Sequence, residues 1–94
     1  MFPGFKVAII DDEKDIRESI SQWLTLTGYE TDVFPDADSA LKIIGNGYPG
    51  VVISDIRMPG LDGMELLQRL TRVDPKIPVI LITGHGDVPM AVHA

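Results

Sequence analysis

Val51-Val52-Ile53-Ser54-Asp55-Ile56-Arg57-Met58-Pro59-Gly60-Leu61-Asp62-Gly63 is the stretch whose reading decides the fold. A short apolar run, stopped abruptly by Ser54-Asp55, reads as a buried parallel strand whose last residue carries charge. Met58 to Gly63 is loop chemistry. From Met64 to Val73 the apolar residues Leu66, Leu67 and Leu70 recur at helical spacing, and Pro75 closes the helix. Strand, acidic end, loop and helix in that order form one unit of an alternating α/β chain.

The same order of parts lies on either side. Upstream, Val7, Ala8, Ile9 and Ile10 run into Asp11-Asp12, and Ile16, Ile20, Trp23, Leu24 and Thr27 follow on one helical face. The polar residues Arg17, Glu18, Ser21 and Gln22 lie between them, and Gly28 stops the helix. Glu30 to Phe34 can form a second strand, with Asp36 as N-cap for a helix carrying Ala37, Ala40, Leu41 and Ile44. Downstream, Pro78-Val79-Ile80-Leu81-Ile82 is a fourth strand halted by Thr83-Gly84-His85-Gly86-Asp87, and a further helix is expected from near Val88. This alternation predicts a doubly wound parallel sheet with helices on both faces. It also leaves the very apolar fourth strand without a neighbour on one side. We therefore expect residues 1–94 to form one domain that lacks its last strand and helix.

Composition narrows the function. The chain has 94 residues, a length for one domain, and 45% of them are apolar, enough to bury a core. Fourteen acidic residues against eight basic ones leave a net charge of -6, which argues against direct nucleic-acid binding. There is no cysteine, so disulfides, thiolate nucleophiles and cysteine-based zinc sites are excluded. Apolar runs are strand-sized and the N-terminus lacks the pattern of a signal peptide, so the expected location is cytoplasmic, with no membrane contact.

In an open parallel sheet, ligands sit at the carboxyl ends of the strands. There the sequence delivers Asp11 and Asp12 after the first strand, Asp55 after the third and Thr83 after the fourth. Carboxylates gathered within several ångströms repel, so such a cluster must raise a pKa, spread apart or bind a cation, and hard oxygen ligands suit Mg²⁺. An aspartate pair after a strand more often caps the next helix, and here both roles can coexist. His85 and His93 lack paired metal-ligand spacing and read as a loop and a helix histidine. Trp23, on the apolar face of its helix, reads as core rather than as a platform for bases.

Three runs carry a resemblance: Val7 to Glu13, Val52 to Gly63, and Ile80 to Gly84 resemble the receiver domains of two-component response regulators. That implies a flavodoxin-like fold with strand order 2-1-3-4-5. It implies Asp55 as the phosphoacceptor, Mg²⁺ held by Asp12, Asp55 and the backbone carbonyl of Arg57, with Asp11 acting largely through bound water, and Thr83 as the switch hydroxyl. The implied partners are a sensor histidine kinase and an output domain, and the resemblance admits a homodimer. It implies no turnover enzyme, only a protein that promotes its own phosphorylation and dephosphorylation. The run Thr83 to Ala94, with Ser54 to Gly60, is more narrowly similar to dicarboxylate-transport regulators of the nitrogen-regulatory activator class.

Two readings compete. A Mg²⁺-dependent phosphohydrolase would also place an aspartate after a parallel strand, yet Asp55-Ile56-Arg57 lacks the second aspartate two residues on. A phosphorylation-independent interaction module would have no need of the full set of acids.

Overall fold

The computed structural model describes residues 4–82 and 90–92. Its elements run β1 (Lys6–Ile10), α1 (Lys14–Thr27), β2 (Glu30–Phe34), α2 (Ala37–Ile43), β3 (Gly50–Asp55), α3 (Gly63–Val73), β4 (Val79–Ile82) and β5 (Met90–Val92). Four strands pair in parallel, as the alternation predicts, in the order β2-β1-β3-β4 that the resemblance implies for them. The strand period of two sorts their side chains onto two faces. Ala8, Ile10, Val52, Val79 and Leu81 pack with Leu66 and Leu70 of α3 and Ala37 and Ala40 of α2. Val7 and Ile9 point the other way and pack with Leu24 of α1, joined by Ile20, Val51 and Ile53. Leu66, Leu70 and Leu81 are fully buried, each worth roughly 1.5–3 kcal/mol.

Helix ends follow local chemistry. Asp36 accepts the Ser39 N–H at 2.7 Å and Asp62 accepts the Glu65 N–H at 2.9 Å, each an N-cap. Gly28 ends α1 in the left-handed region (φ 106°), where the Tyr29 N–H reaches the Leu24 carbonyl at 3.0 Å.

The amino ends of the strands are lashed by polar side chains. Tyr48 donates to Asp32 at 2.9 Å and Lys6 lies 3.8 Å from the same carboxylate. Asp74 accepts the backbone N–H groups of Gly47 at 2.9 Å and Lys76 at 3.0 Å, which hold its carboxyl below the ordinary range. Asn46 donates to the Val73 carbonyl at 3.2 Å.

Three expectations are corrected. Trp23 is 66% exposed rather than core. Leu24 takes the inward position one residue, or about 100°, further round α1, which leaves Trp23 on the lip of a trough of about 420 Å³ lined by Ser19, Ile20, Ile53, Ile80 and Ile82. Thr27 is also exposed, its hydroxyl donating to the Trp23 carbonyl at 2.8 Å. Residues 90–92, expected within a helix, instead form β5, antiparallel to β4 with Leu81 opposite Met90 and Val79 opposite Val92. The outer edge of β4 offers ready backbone partners, and Met90–Val92 pair with it. The expected helix start at Val88 lies outside the described residues.

Gly50 sets how closely β1 and β3 pair. It lies opposite Lys6, and a Cβ on it would fall 1.8 Å from the Lys6 carbonyl oxygen. Gly50→Ala is therefore expected to cost about 1–3 kcal/mol in urea unfolding, the usual penalty for overpacking. Gly45→Ala, where an added Cβ meets nothing within 4 Å, should stay within about 0.5 kcal/mol of the parent.

Candidate functional site

The register of β1 against β3 places Ile10 beside Ser54, so the residues that follow, Asp11 and Asp55, emerge together at the carboxyl rim. Asp12 stands on the same rim. One carboxylate oxygen from each of Asp11, Asp12 and Asp55 lies within 4.8 Å of the others. Asp11 and Asp55 are buried, at 1% and 6% exposure, while Asp12 is open to solvent. A site with two sunken carboxylates and one at the surface is shallow, with one side facing water.

Asp11 is held from several directions. Its N–H donates to the Phe34 carbonyl at 3.2 Å, its Oδ1 accepts the Glu13 N–H at 2.8 Å, and its carbonyl accepts from Arg17 Nη1 at 2.8 Å. The bond to Glu13 fixes the turn that leads into α1, whose N-cap residue, Glu13, makes no side-chain cap bond, so the expected capping of the helix by Asp11 is limited to holding the N-cap residue's own N–H. Asp11 Oδ2 is different: it is buried and has no hydrogen-bond partner among the described residues.

Asp55 is the last residue of β3, and its Oδ1 accepts the Arg57 N–H at 3.1 Å. Ser54, fully buried, donates to the Asp55 carbonyl at 2.9 Å. The loop is closed from behind by α3, whose first residue donates its N–H to the Ile56 carbonyl at 2.8 Å. That residue is Gly63, and a Cβ there would stand 2.5 Å from the Asp55 carbonyl oxygen. Glycine is required because the helix start touches the backbone that carries the carboxylate. The groove beside this loop, about 460 Å³ and lined by Ile56, Arg57, Met58, Pro59 and Asp62, is open.

The electrostatics follow from this crowding. Burial raises the Asp11 carboxyl above its ordinary value of 3.8; the Glu13 N–H opposes this, and the charges of Asp55, Asp12 and Glu13 raise it further. A carboxylate with one buried oxygen that has no donor, gathered with two more carboxylates, is a set of hard ligands short of positive charge. The residues present therefore fit a divalent cation such as Mg²⁺, and Asp11, Asp12 and Asp55 are the cluster that could hold it.

The structure thus brings together Asp11, Asp12 and Asp55 and ties the backbone of Arg57 to Asp55. Thr83, Gly84, His85, Gly86 and His93 lie outside the described residues. Sequence reasoning missed Arg17, placed among the polar residues of α1, and Gly63, taken only as a loop residue. The signal for Gly63 was its place at a helix start directly behind a charged strand end.

Comparison with known proteins agrees with this geometry. The model of the response regulator receiver domain matches residues 7–94. The C4-dicarboxylate transport transcriptional regulatory protein DctD of Rhizobium meliloti strain 1021 is 48% identical over 88 residues, covering 94% of this chain and 19% of that protein. The structure of the response regulator StyR superposes with a TM-score of 0.81 at 36% identity, over 94% of this chain and 44% of that one. A chain from the crystal structure of histidine kinase ThkA in complex with response regulator protein TrrA superposes with a TM-score of 0.79 at 33% identity, over 87% of this chain and 71% of that one. The chain belongs to the response-regulator receiver domain family, as found in regulators of transcription, and spans about a fifth of the length of DctD. Phosphorylation by a histidine kinase is the typical role of this family, and the family binds Mg²⁺ at its acidic pocket.

A carboxyl that folding makes harder to ionise favours the native state only while protonated. Its contribution is greatest below the ordinary value of 3.8 and is lost as pH rises toward the elevated native value. Asp11→Asn, which keeps an oxygen for the Glu13 N–H, is expected to raise the melting temperature of the metal-free protein at pH 7. The advantage should shrink as pH falls from the raised native value toward 3.8 and be absent below it, a trend that a series of thermal melts would check.

Proposed function

We propose that Asp55 accepts a phosphoryl group from the phosphohistidine of a sensor histidine kinase and that the phosphorylated state is passed to a transcription-activating output domain. In the transfer the P–N bond to the histidine breaks, its electron pair staying on the imidazole, and a P–O bond to the Asp55 carboxylate forms. The observation that carries this reading is the convergence of Asp55 with a buried, unpartnered Asp11 oxygen and an exposed Asp12 at one rim.

The roles divide by residue. The Arg57 N–H holds Asp55 Oδ1 and fixes the carboxylate at the strand end, while Gly63 keeps α3 close behind it. Asp11, Asp12 and Asp55, with the backbone carbonyl of Arg57, are the ligands we assign to Mg²⁺. When bound, the ion would supply positive charge against the transferred oxygens, the main need in a phosphoryl transfer dominated by positioning and electrostatics. Thr83 is assigned as the switch hydroxyl, which would answer the added negative charge on Asp55 by donating a hydrogen bond.

The chain on this reading is the receiver of a longer cytoplasmic regulator, with the kinase and its own output domain as partners. Among the described residues no helix is long and apolar enough to cross a membrane. Neither competing reading gains an observation from the structure: Arg57 stands where a phosphohydrolase would have its second aspartate, and the acids are gathered rather than scattered.

Incubation with a small phosphodonor, followed by intact mass measurement, tests the reading. One phosphoryl adduct that needs Mg²⁺ and is absent from Asp55→Asn is expected. An adduct of equal yield on Asp55→Asn would overturn the assignment.

A further inference from the structure

Arg17 lies in the first part of α1, half-buried, and reaches six residues back to the Asp11 carbonyl. That carbonyl is one residue past the last ladder pair of β1. With the Arg17 bond in place, the N–H, the carbonyl and Oδ1 of Asp11 are all engaged, and only Oδ2 is left without a partner. We infer that Arg17 is a positioning residue for the acidic pocket: its guanidinium clamps the β1–α1 turn so that the Asp11 carboxylate stays within reach of Asp12 and Asp55, and it thereby sets affinity for the divalent cation.

This rests on the cation-binding role proposed above. The direction of the effect separates a clamp from a charge acting through space. A positive charge near the pocket repels a cation, so removing it electrostatically would tighten binding. Loss of a clamp loosens the ligands and weakens binding, as loss of partners that orient metal ligands does elsewhere. Lys14, exposed on the same turn and paired with Glu18 at 3.9 Å, supplies the control charge.

The test uses Arg17→Met, Arg17→Lys and Lys14→Met in the 94-residue chain. Mg²⁺ affinity is read by calorimetric titration, and hydrogen exchange of the Glu13 amide is read in the metal-free protein. Arg17→Met is expected to weaken Mg²⁺ binding about tenfold and to speed Glu13 exchange by about the same factor. Arg17→Lys, which keeps a donor, should lose about threefold or less, and Lys14→Met should bind no more weakly than the parent. Mg²⁺ affinity of Arg17→Met within about twofold of the parent, or equal weakening by Lys14→Met, would overturn the inference. If Arg17→Met fails to fold, full affinity together with an unprotected Glu13 amide in Arg17→Lys would overturn it instead. A parent that binds no Mg²⁺ would defeat the proposed function, and the Glu13 amide alone would then decide whether Arg17 holds the turn.

Discussion

Everything at the carboxyl rim depends on the register between β1 and β3. Two parallel strands held with Lys6 opposite Gly50 must finish with Ile10 opposite Ser54, and only then do Asp11 and Asp55 emerge side by side. A slip of one residue would turn side chains to the opposite face, burying what should be exposed and scattering the acids. The register is held by apolar burial on both faces of the sheet, and the backbones approach closely because Gly50 has no side chain. The chemistry is thus positioned by contacts made five residues away at the other end of the strands.

Much of this was legible in the residue order. Apolar runs that stop abruptly, at charge for β1 and β3 and at Thr83-Gly84 for β4, marked these strands, because a strand buried on both faces has no polar alternation to blur its ends. The same feature exposed the site: in a parallel sheet all the strand ends face one way, so Asp11, Asp12 and Asp55 had to meet. Trp23 was misplaced because helical periodicity gives the direction of an apolar stripe but not which part of it a neighbour covers. The path of residues 90–92 was missed because backbone pairing along an edge strand leaves little trace in so short a segment. Arg17 was missed for another reason. A charged residue one turn into a helix normally faces water, and its bond to a main-chain carbonyl six residues back becomes visible only with coordinates.

The acid cluster sets stability against function within a few atoms. Burial of Asp11 beside two other carboxylates works against the native state, yet the same crowding makes a ready set of hard oxygen ligands. The fold tolerates this because most of Asp11's polar groups are satisfied and the stress falls on one oxygen. Asp55 is treated more gently, with its Oδ1 accepting a backbone N–H, and Asp12 is left in water.

The polar lashings around Asp32 and Asp74 lie toward the amino ends of the strands, the end opposite the carboxylate cluster. Changes there alter how firmly the strands and helices are bound together without touching the carboxylates. The amino end is not wholly free to drift, since Lys6 both joins this lashing and sits opposite Gly50 in the register that delivers the acids. Substitutions that retune stability there are tolerable only where they leave that one pairing undisturbed, so a single backbone contact limits how far the domain can be remodelled.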